Sequence, residues 1–256
     1  MTTVQNILDF IETIAPTSLK MEWDNVGLLC GRKGQEVRKI LVALDPFTPV
    51  CQEAAQMGAD LLVTHHPLIF QPLAAVTDET TVGRAVMTLV KNDIAAINAH
   101  TNLDCANGGV NDTLAETLKL SAIQKIPTDP EGLLRQGEVK TQDLDAFLDR
   151  IEQTLGCSGL RYVSGGKPVN RVAVGGGACG SALHAVIAAG CDTFVTADVK
   201  YNQFCDAKEL GLNLIDAGHF STENPVVAVL AEKIATAFPD VQVKISETHR
   251  DCVKYY

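Results

Sequence analysis

Three observations predict an α/β protein built from two related lobes. Apolar runs of strand length alternate with helix-length amphipathic stretches, histidine-containing polar clusters follow several of those runs, and the second half of the chain repeats the first. Taken in order, Val4, Ile7, Leu8, Ile11 and Ile14 fall at helical spacing and predict an opening helix. Residues 39–44 (KILVAL) read as a buried strand, 49–57 as a helix ended by Gly58, and 60–64 (DLLVT) as the next strand. A helix over 82–91 leads to a strand over 94–98, and the paired Gly108 and Gly109 open a helix over 110–120. Composition then shifts near Ile126, where Pro127, Asp129, Pro130, Gly132 and Gly137 make a loop-rich stretch. A helix over 141–155 follows, with Thr141 as its N-cap. The boundary is placed there, giving an N-terminal lobe over 1–126 and a linker plus C-terminal lobe over 127–256. The second series comprises strands over 171–174 and 212–215 and a final helix entered through Asn224 and Pro225.

The repeat is explicit. A shift of 132 lays Ile40-Leu41-Val42 on Val172-Ala173-Val174, and the eight residues from Met57 to Thr64 on those from Ala189 to Thr196, with Gly, Asp, Val and Thr identical. Ile97-Asn98-Ala99 likewise resembles Ile215-Asp216-Ala217, ahead of His100-x3-Asp104 in one half and His219-x3-Glu223 in the other. Ligands of open α/β sheets sit outside the carboxyl ends of the strands, where these clusters fall.

Composition excludes several classes. A chain of 256 residues, 46% hydrophobic and 20% charged, has the material for one large or two ordinary domains. Its formal charge of −10 repels phosphate backbones and anionic lipids, and no Lys/Arg cluster reverses it locally. With no membrane-length apolar run and no basic start to a leader, the expected setting is the cytoplasm. The eight cysteines lack a C-x2-C or C-x4-C hook and read as small core residues and surface thiols.

Chemistry concentrates in the histidines. Thr64-His65-His66-Pro67 leaves a strand with two imidazoles side by side, and imidazole is the commonest side-chain donor to transition metals. His100 with Asp104, and His219 with Glu223, add donors at two further strand ends. A mixed nitrogen and oxygen set without cysteine suits Zn, Fe, Mn or Co in a catalytic site that retains water, and five or more such donors suit two ions. Gly175-Gly176-Gly177-Ala178-Cys179-Gly180 matches G-x-G-x-x-G after a strand, with Asp198 downstream, which reads either as a dinucleotide fingerprint, as an anion-binding turn or as a tight structural connection. His184 reads as packed or solvated, Trp23 as packing its own Asp24-Asn25 turn, and Asp45 as a carboxylate that orients a metal-bound histidine.

These motifs together resemble the NIF-three-like proteins, also described as GTP cyclohydrolase I type 2 homologs. The likeness is carried by Trp23-Asp24-Asn25-Val26-Gly27-Leu28, Leu44-Asp45, Thr64-His65-His66-Pro67, Ala99 to Asp104 with Gly109-Val110-Asn111-Asp112, and Gly218 to Glu223. The resemblance implies a two-metal centre between the lobes with His65, His66, Asp104, His219 and Glu223 as ligands, Glu223 being the candidate bridge, in a ring-shaped homohexamer. His100 is then a near neighbour of the metals. It and His249, which lies in a polar segment over 246–251 that relatives share, are the candidate catalytic side chains, His249 as a substrate contact or acid/base. One departure is Asn202, which stands where relatives usually carry the histidine of a Lys-Tyr-His run, so a proton-transfer role at that position does not carry over.

The activity so implied is metal-assisted hydrolysis of a small nucleotide-type substrate. On GTP, water would attack C8 of guanine and release formate, with Lys200, Arg250 and the amides of 175–180 left to hold the phosphates. A metal-dependent phosphoesterase and a non-catalytic metal-binding or regulatory assembly are the alternatives, since fold and metal do not define a substrate.

Overall fold

The computed structural model describes all 256 residues. Its opening helix, α1 (Val4–Ile14), spans the predicted residues and buries Val4, Ile7 and Ile11. Thr3 closes its N-terminus in a capping box with Asn6. There follow β1 (Gly27–Cys30), β2 (Lys39–Ala43), α2 (Thr48–Gln56), β3 (Leu61–Thr64), α3 (Thr81–Lys91), β4 (Ala95–Asn98) and the one-turn α4 (Thr101–Cys105). The chain continues through α5 (Val110–Thr117), β5 (Ser121–Lys125), β6 (Arg135–Gln142), α6 (Leu144–Leu155), β7 (Arg161–Val163), β8 (Val169–Val174), α7 (Leu183–Ala188), β9 (Thr193–Thr196), α8 (Tyr201–Glu209), β10 (Asn213–Asp216) and the one-turn α9 (His219–Glu223). It ends with α10 (Pro225–Ala237) and β11 (Gln242–Ile245).

Two compact units result: Met1–Ala106 with Val227–Arg250, and Asn107–Val226 with Asp251–Tyr256. The chain therefore crosses between units at 106/107, 226/227 and 250/251, rather than once near Ile126 as composition suggested. The Pro/Gly-rich stretch there is a loop inside the second unit, between two strands of one sheet.

The first unit carries a five-stranded sheet in the order β1-β4-β3-β2-β11, in which only β1 runs antiparallel to its neighbour. Leu41, Ala43, Leu62 and Ala96 pack on α2 and α3 through Val50, Ala54, Ala85 and Leu89, while the alternate residues Ile40, Val42, Leu61, Val63 and Ile97 are buried too. Strands buried on both faces lose the period-2 alternation, so they show in the sequence as continuous apolar runs.

The second unit carries a six-stranded sheet, β5-β6-β8-β9-β10-β7, whose centre β8, β9 and β10 is parallel. Val172, Val174, Val195 and Ile215 face one core with Leu114, Phe147 and Ile151 from α5 and α6. Ala173, Phe194 and Leu214 face the other with Leu183, Val186 and Ala207 from α7 and α8.

The repeat holds to the residue. Ile40 pairs with Leu61 and Val172 with Thr193, both pairs related by the 132-residue shift. Its recurrent aspartate is a bracket at the start of the sheet. Asp60 accepts from the amides of Arg38 and Lys39 at 2.8 and 2.9 Å, and Asp192 from those of Asn170 and Arg171 at 3.1 and 2.7 Å. In both units the aspartate backbone joins the ladder as well, Ala95 N donating to Asp60 O and Asn213 N to Asp192 O. The recurrent glycine two residues earlier turns each helix into its strand at positive φ, 63° at Gly58 and 78° at Gly190.

One helix start differs from expectation. Thr141 belongs to β6, and α6 begins at Leu144 behind Asp143 as N-cap residue. Lys140, Thr141 and Gln142 carry little apolar signal, yet the strand is extended there because Gln142 pairs with Val169 of β8.

Candidate metal-binding site

In the first unit the end of β3 presents His65 and His66 as adjacent rings 4.8 Å apart. His65 Nδ1 lies 2.9 Å from the carbonyl oxygen of Ala99, His66 Nδ1 2.6 Å from Asp45 Oδ1, and His100 Nδ1 2.8 Å from Asp24 Oδ1. A carbonyl or carboxylate oxygen can only accept, so each Nδ1 carries the proton and each Nε2 presents its lone pair. The three rings converge, His100 standing 5.2 Å from His65 and 5.4 Å from His66 by centroid, and their donor atoms lie within 4.8 Å of one another. Asp104, buried on α4 one helical turn after His100, places Oδ1 3.6 Å from His65 Nε2.

Two carboxylates support these rings. Asp24 is buried, and its oxygens accept from His100 Nδ1, the amide of Thr101 at 3.0 Å and the Thr101 hydroxyl. Burial works against its charge, but the hydrogen bonds from His100 and Thr101 outweigh that and hold the carboxyl well below the ordinary range. Asp45 is in the same position: burial raises its pKa, while His249 and His66 lower it further, to a net depression. His249 therefore sits on Asp45, with Nε2 2.8 Å from Oδ2. The turn that carries it is anchored by Glu53, which accepts from the Ser246 hydroxyl and from the amides of Glu247 and Thr248.

In the second unit Gly218, at φ 84°, turns the end of β10 into α9, which begins with His219 and ends with Glu223. The i, i+4 spacing brings His219 Nε2 to 3.1 Å from the buried Glu223 Oε2. His219 Nδ1 lies 2.7 Å from Asp198 Oδ2, the same arrangement as His66 on Asp45. Asp198 is held at φ 50°, in the left-handed region.

The glycine loop after β8 is explained by this pair. A Cβ on Gly177, whose φ is 65°, would stand 2.2 Å from Glu223 Oε1 and 3.2 Å from His219 Nε2, and one on Gly176 would stand 3.2 Å from Glu223 Cγ. Four of the loop amides are used internally: Gly175 N donates to Val195 O, Gly176 N to Asn111 Oδ1, Gly177 N to Thr222 Oγ1, and Cys179 N to Gly177 O and Thr196 Oγ1. A phosphate cradle needs those N–H groups directed at the ligand. The four amides so used are withdrawn from the dinucleotide and anion-turn readings, and the contacts of Gly176 and Gly177 with Glu223 favour the structural one.

Of the two readings of His184 the solvated one holds, since it is exposed on α7; Lys200 is exposed ahead of α8, and Arg250 is exposed beside His249. Trp23 does not pack its turn but is 61% exposed. Asp24 and Asp198 are the two orienting carboxylates not assigned that role from sequence. For Asp198 a signal existed, since the 132-residue shift lays it on His66.

A family model described as Duf34/NIF3 (NGG1p interacting factor 3) matches residues 2–252. The GTP cyclohydrolase 1 type 2 homolog of Clostridium perfringens is 37% identical over 255 residues, 97% of each chain. That of Streptomyces coelicolor is 37% identical over 270 residues, covering 98% of this chain and 93% of its own. Among solved structures, a Bacillus cereus protein related to NIF3 superposes with a TM-score of 0.93 at 25% identity, over 100% of this chain and 99% of that one.

Proposed function

The chain belongs to the Duf34/NIF3 family, and from that premise we propose that it is a metal-dependent hydrolase in which His65, His66, Asp104, His219 and Glu223 hold two divalent ions and act on a nucleotide-type substrate. The observation that carries this reading is the set of three imidazoles in the first unit, each with Nδ1 fixed by an acceptor and Nε2 turned toward the others.

The residues fit such ions. The donors are nitrogen and oxygen, which Zn, Fe, Mn and Co accept, and the histidines have the outer hydrogen-bond partners that metal ligands use. Gly177 leaves the Glu223 carboxylate room that any side chain would fill. Ions held there would supply Lewis acidity and a hydroxide nucleophile near neutral pH. His65, kept rigid by Ala99, and His66, kept rigid by Asp45, orient the nitrogen donors, and Asp198 does the same for His219.

His100 is the proton-transfer candidate. Its Nδ1–H is bound to an ionised, buried Asp24, which fixes the tautomer and the ring orientation and leaves Nε2 as the atom that exchanges a proton. His249 acts through Asp45 to hold His66, which makes it a positioning residue rather than a group that meets substrate. The names of the relatives make GTP the first substrate to try, opened at guanine C8 with release of formate. A homohexameric ring in the cytoplasm completes the proposal.

The test is metal content by elemental analysis on wild type, His65→Ala and Glu223→Ala, with formate release from GTP assayed on the same samples. About two ions per chain in the wild type, lost in both variants together with formate release, is the expected outcome. Two ions with no release of formate, and none of phosphate from a phosphoester panel, would leave a non-catalytic metal-binding assembly. No stoichiometric metal after reconstitution would refute the proposal.

A further inference from the structure

Beside the histidines of the first unit stands an aromatic group that the metal chemistry does not use. Trp23 and Phe70 are 61% and 43% exposed, although burying such side chains is worth about 2 kcal/mol each. They meet each other and His100 edge to face. Ring centroids are 5.8 Å apart for Trp23–Phe70 and 6.2 Å for each ring with His100, at interplanar angles of 70°, 71° and 84°.

The rings are held in place from below. Asn25 Nδ2 donates to the carbonyl of Ile69 at 2.6 Å, tying the Trp23 turn to the Phe70 loop, and Asn98 Nδ2 at the end of β4 donates to the carbonyl of Asn25 at 3.1 Å. Met21 N donates to Thr101 Oγ1, and the buried Asp24 next to Trp23 is the carboxylate that holds His100. On the other loop, Leu68 is buried in the core two residues before Phe70. Two large apolar rings are thus held at the surface against the His100 imidazole, which in turn meets His65 and His66.

We propose that Trp23 and Phe70 are the binding platform for a planar heteroaromatic base, stacking it so that the remainder of the molecule reaches His100 and the metal-binding histidines. This rests on the hydrolase reading above and names what that site recognises. Charge favours a base as the recognised element. The chain carries a formal −10, and the amides of Gly176 and Gly177, which might have held phosphate, are used internally, so a ring offers affinity that the protein's charge and these amides do not. Stacking on an aromatic side chain supplies that affinity without regard to which base is present.

Trp23 is the sole tryptophan, so its fluorescence reports on this surface alone. The experiment titrates the protein as purified with guanosine monophosphate, adenosine monophosphate and ribose 5-phosphate, following Trp23 emission and, for Trp23→Leu, Trp23→Phe and Phe70→Leu, heat of binding. Both nucleotides are expected to quench Trp23 saturably while ribose 5-phosphate does not. Trp23→Leu should weaken nucleotide binding about tenfold, and Trp23→Phe should recover most of the loss. Equal binding of ribose 5-phosphate, or unchanged nucleotide affinity in Trp23→Leu, would overturn the platform. So would Trp23 emission that responds to protein concentration and not to nucleotide, which would assign the surface to a second copy of the chain. Binding is read here without turnover. Quenching in a protein that releases neither formate from GTP nor phosphate from the phosphoester panel sinks the hydrolase reading and keeps the platform, and turnover with base-independent binding does the reverse.

Discussion

Replacing Gly177 by alanine tests whether the glycine loop exists for Glu223. Two costs follow from the structure. The residue sits at φ 65°, where a side chain costs about 1 kcal/mol. The new Cβ would also stand 2.2 Å from Glu223 Oε1, about 1 Å inside ordinary contact. Glu223 is buried on a one-turn helix whose Thr222 already accepts from the Gly177 amide, so the carboxylate has little room to withdraw, and overpacking of this kind costs about 2 kcal/mol. The total is about 3 kcal/mol. Gly58→Ala is the control, since Gly58 has nearly the same φ, 63°, with nothing within 4 Å of its added Cβ, and should cost about 1 kcal/mol. The assay is urea denaturation of chelator-treated protein, paired with metal affinity by competition against a chromophoric chelator. Gly177→Ala should lose about 2 kcal/mol more than Gly58→Ala and bind metal about 10- to 100-fold more weakly, as when a ligand's support is disturbed. Equal stability losses with metal affinity intact in both would refute the account of the loop.

Asp24→Asn should destabilise the protein at pH 7 by about 2 kcal/mol, since hydrogen bonds to a charged acceptor are lost. The Asp24 pKa is depressed in the folded state, so its contribution is present above the unfolded value near 4 and is lost as pH falls through the folded value. The stability difference between wild type and Asp24→Asn should accordingly close on acidification below about pH 4, and a gap independent of pH would contradict the ionised pair. Asp112→Ala should cost about 3 kcal/mol by urea denaturation, because Arg135 is buried with Nε 2.6 Å from Asp112 Oδ1 and would keep its charge without that partner. A loss under 1 kcal/mol would show that the carbonyls of Gly132, Leu133 and Leu134 around Nη1 are enough to hold it.

What could be read in the sequence depends on how each residue is buried. Of the six central strands, β2, β3, β4, β8 and β10 are buried on both faces and stand out as runs, while β9, with Thr193 and Thr196 at its ends, shows only through its match to β3 in the repeat. The strands β1, β5, β7 and β11 lie at sheet edges, are three to five residues long and are partly buried in β1 and mostly exposed in the others, so RYV or QVKI carries little pattern. The metal-type donors were legible because they sit at strand exits with local spacing, His65 beside His66 and four residues within each later pair. Their supports were harder: Asp24 meets His100 across 76 residues and Asp45 meets His249 across 204, distances over which no local spacing rule applies. Trp23 was misread for a general reason. A lone tryptophan is expected to bury itself, and here its neighbours Asp24 and Asn25 are held inward while the indole is left outside.

The paired brackets Asp60 and Asp192 let one frame carry two trades. Each aspartate grips the strand where it begins, in the same atoms and the same register, so the foundations are copies. At the opposite end the copies carry different chemistry: one offers His65-His66 and the other Ala197-Asp198, and Asp45 of one copy answers to Gly177 of the other. With the frame secured at its base, the strand tips need not match: one copy presents an imidazole held by an aspartate at the position where the other presents an aspartate holding an imidazole.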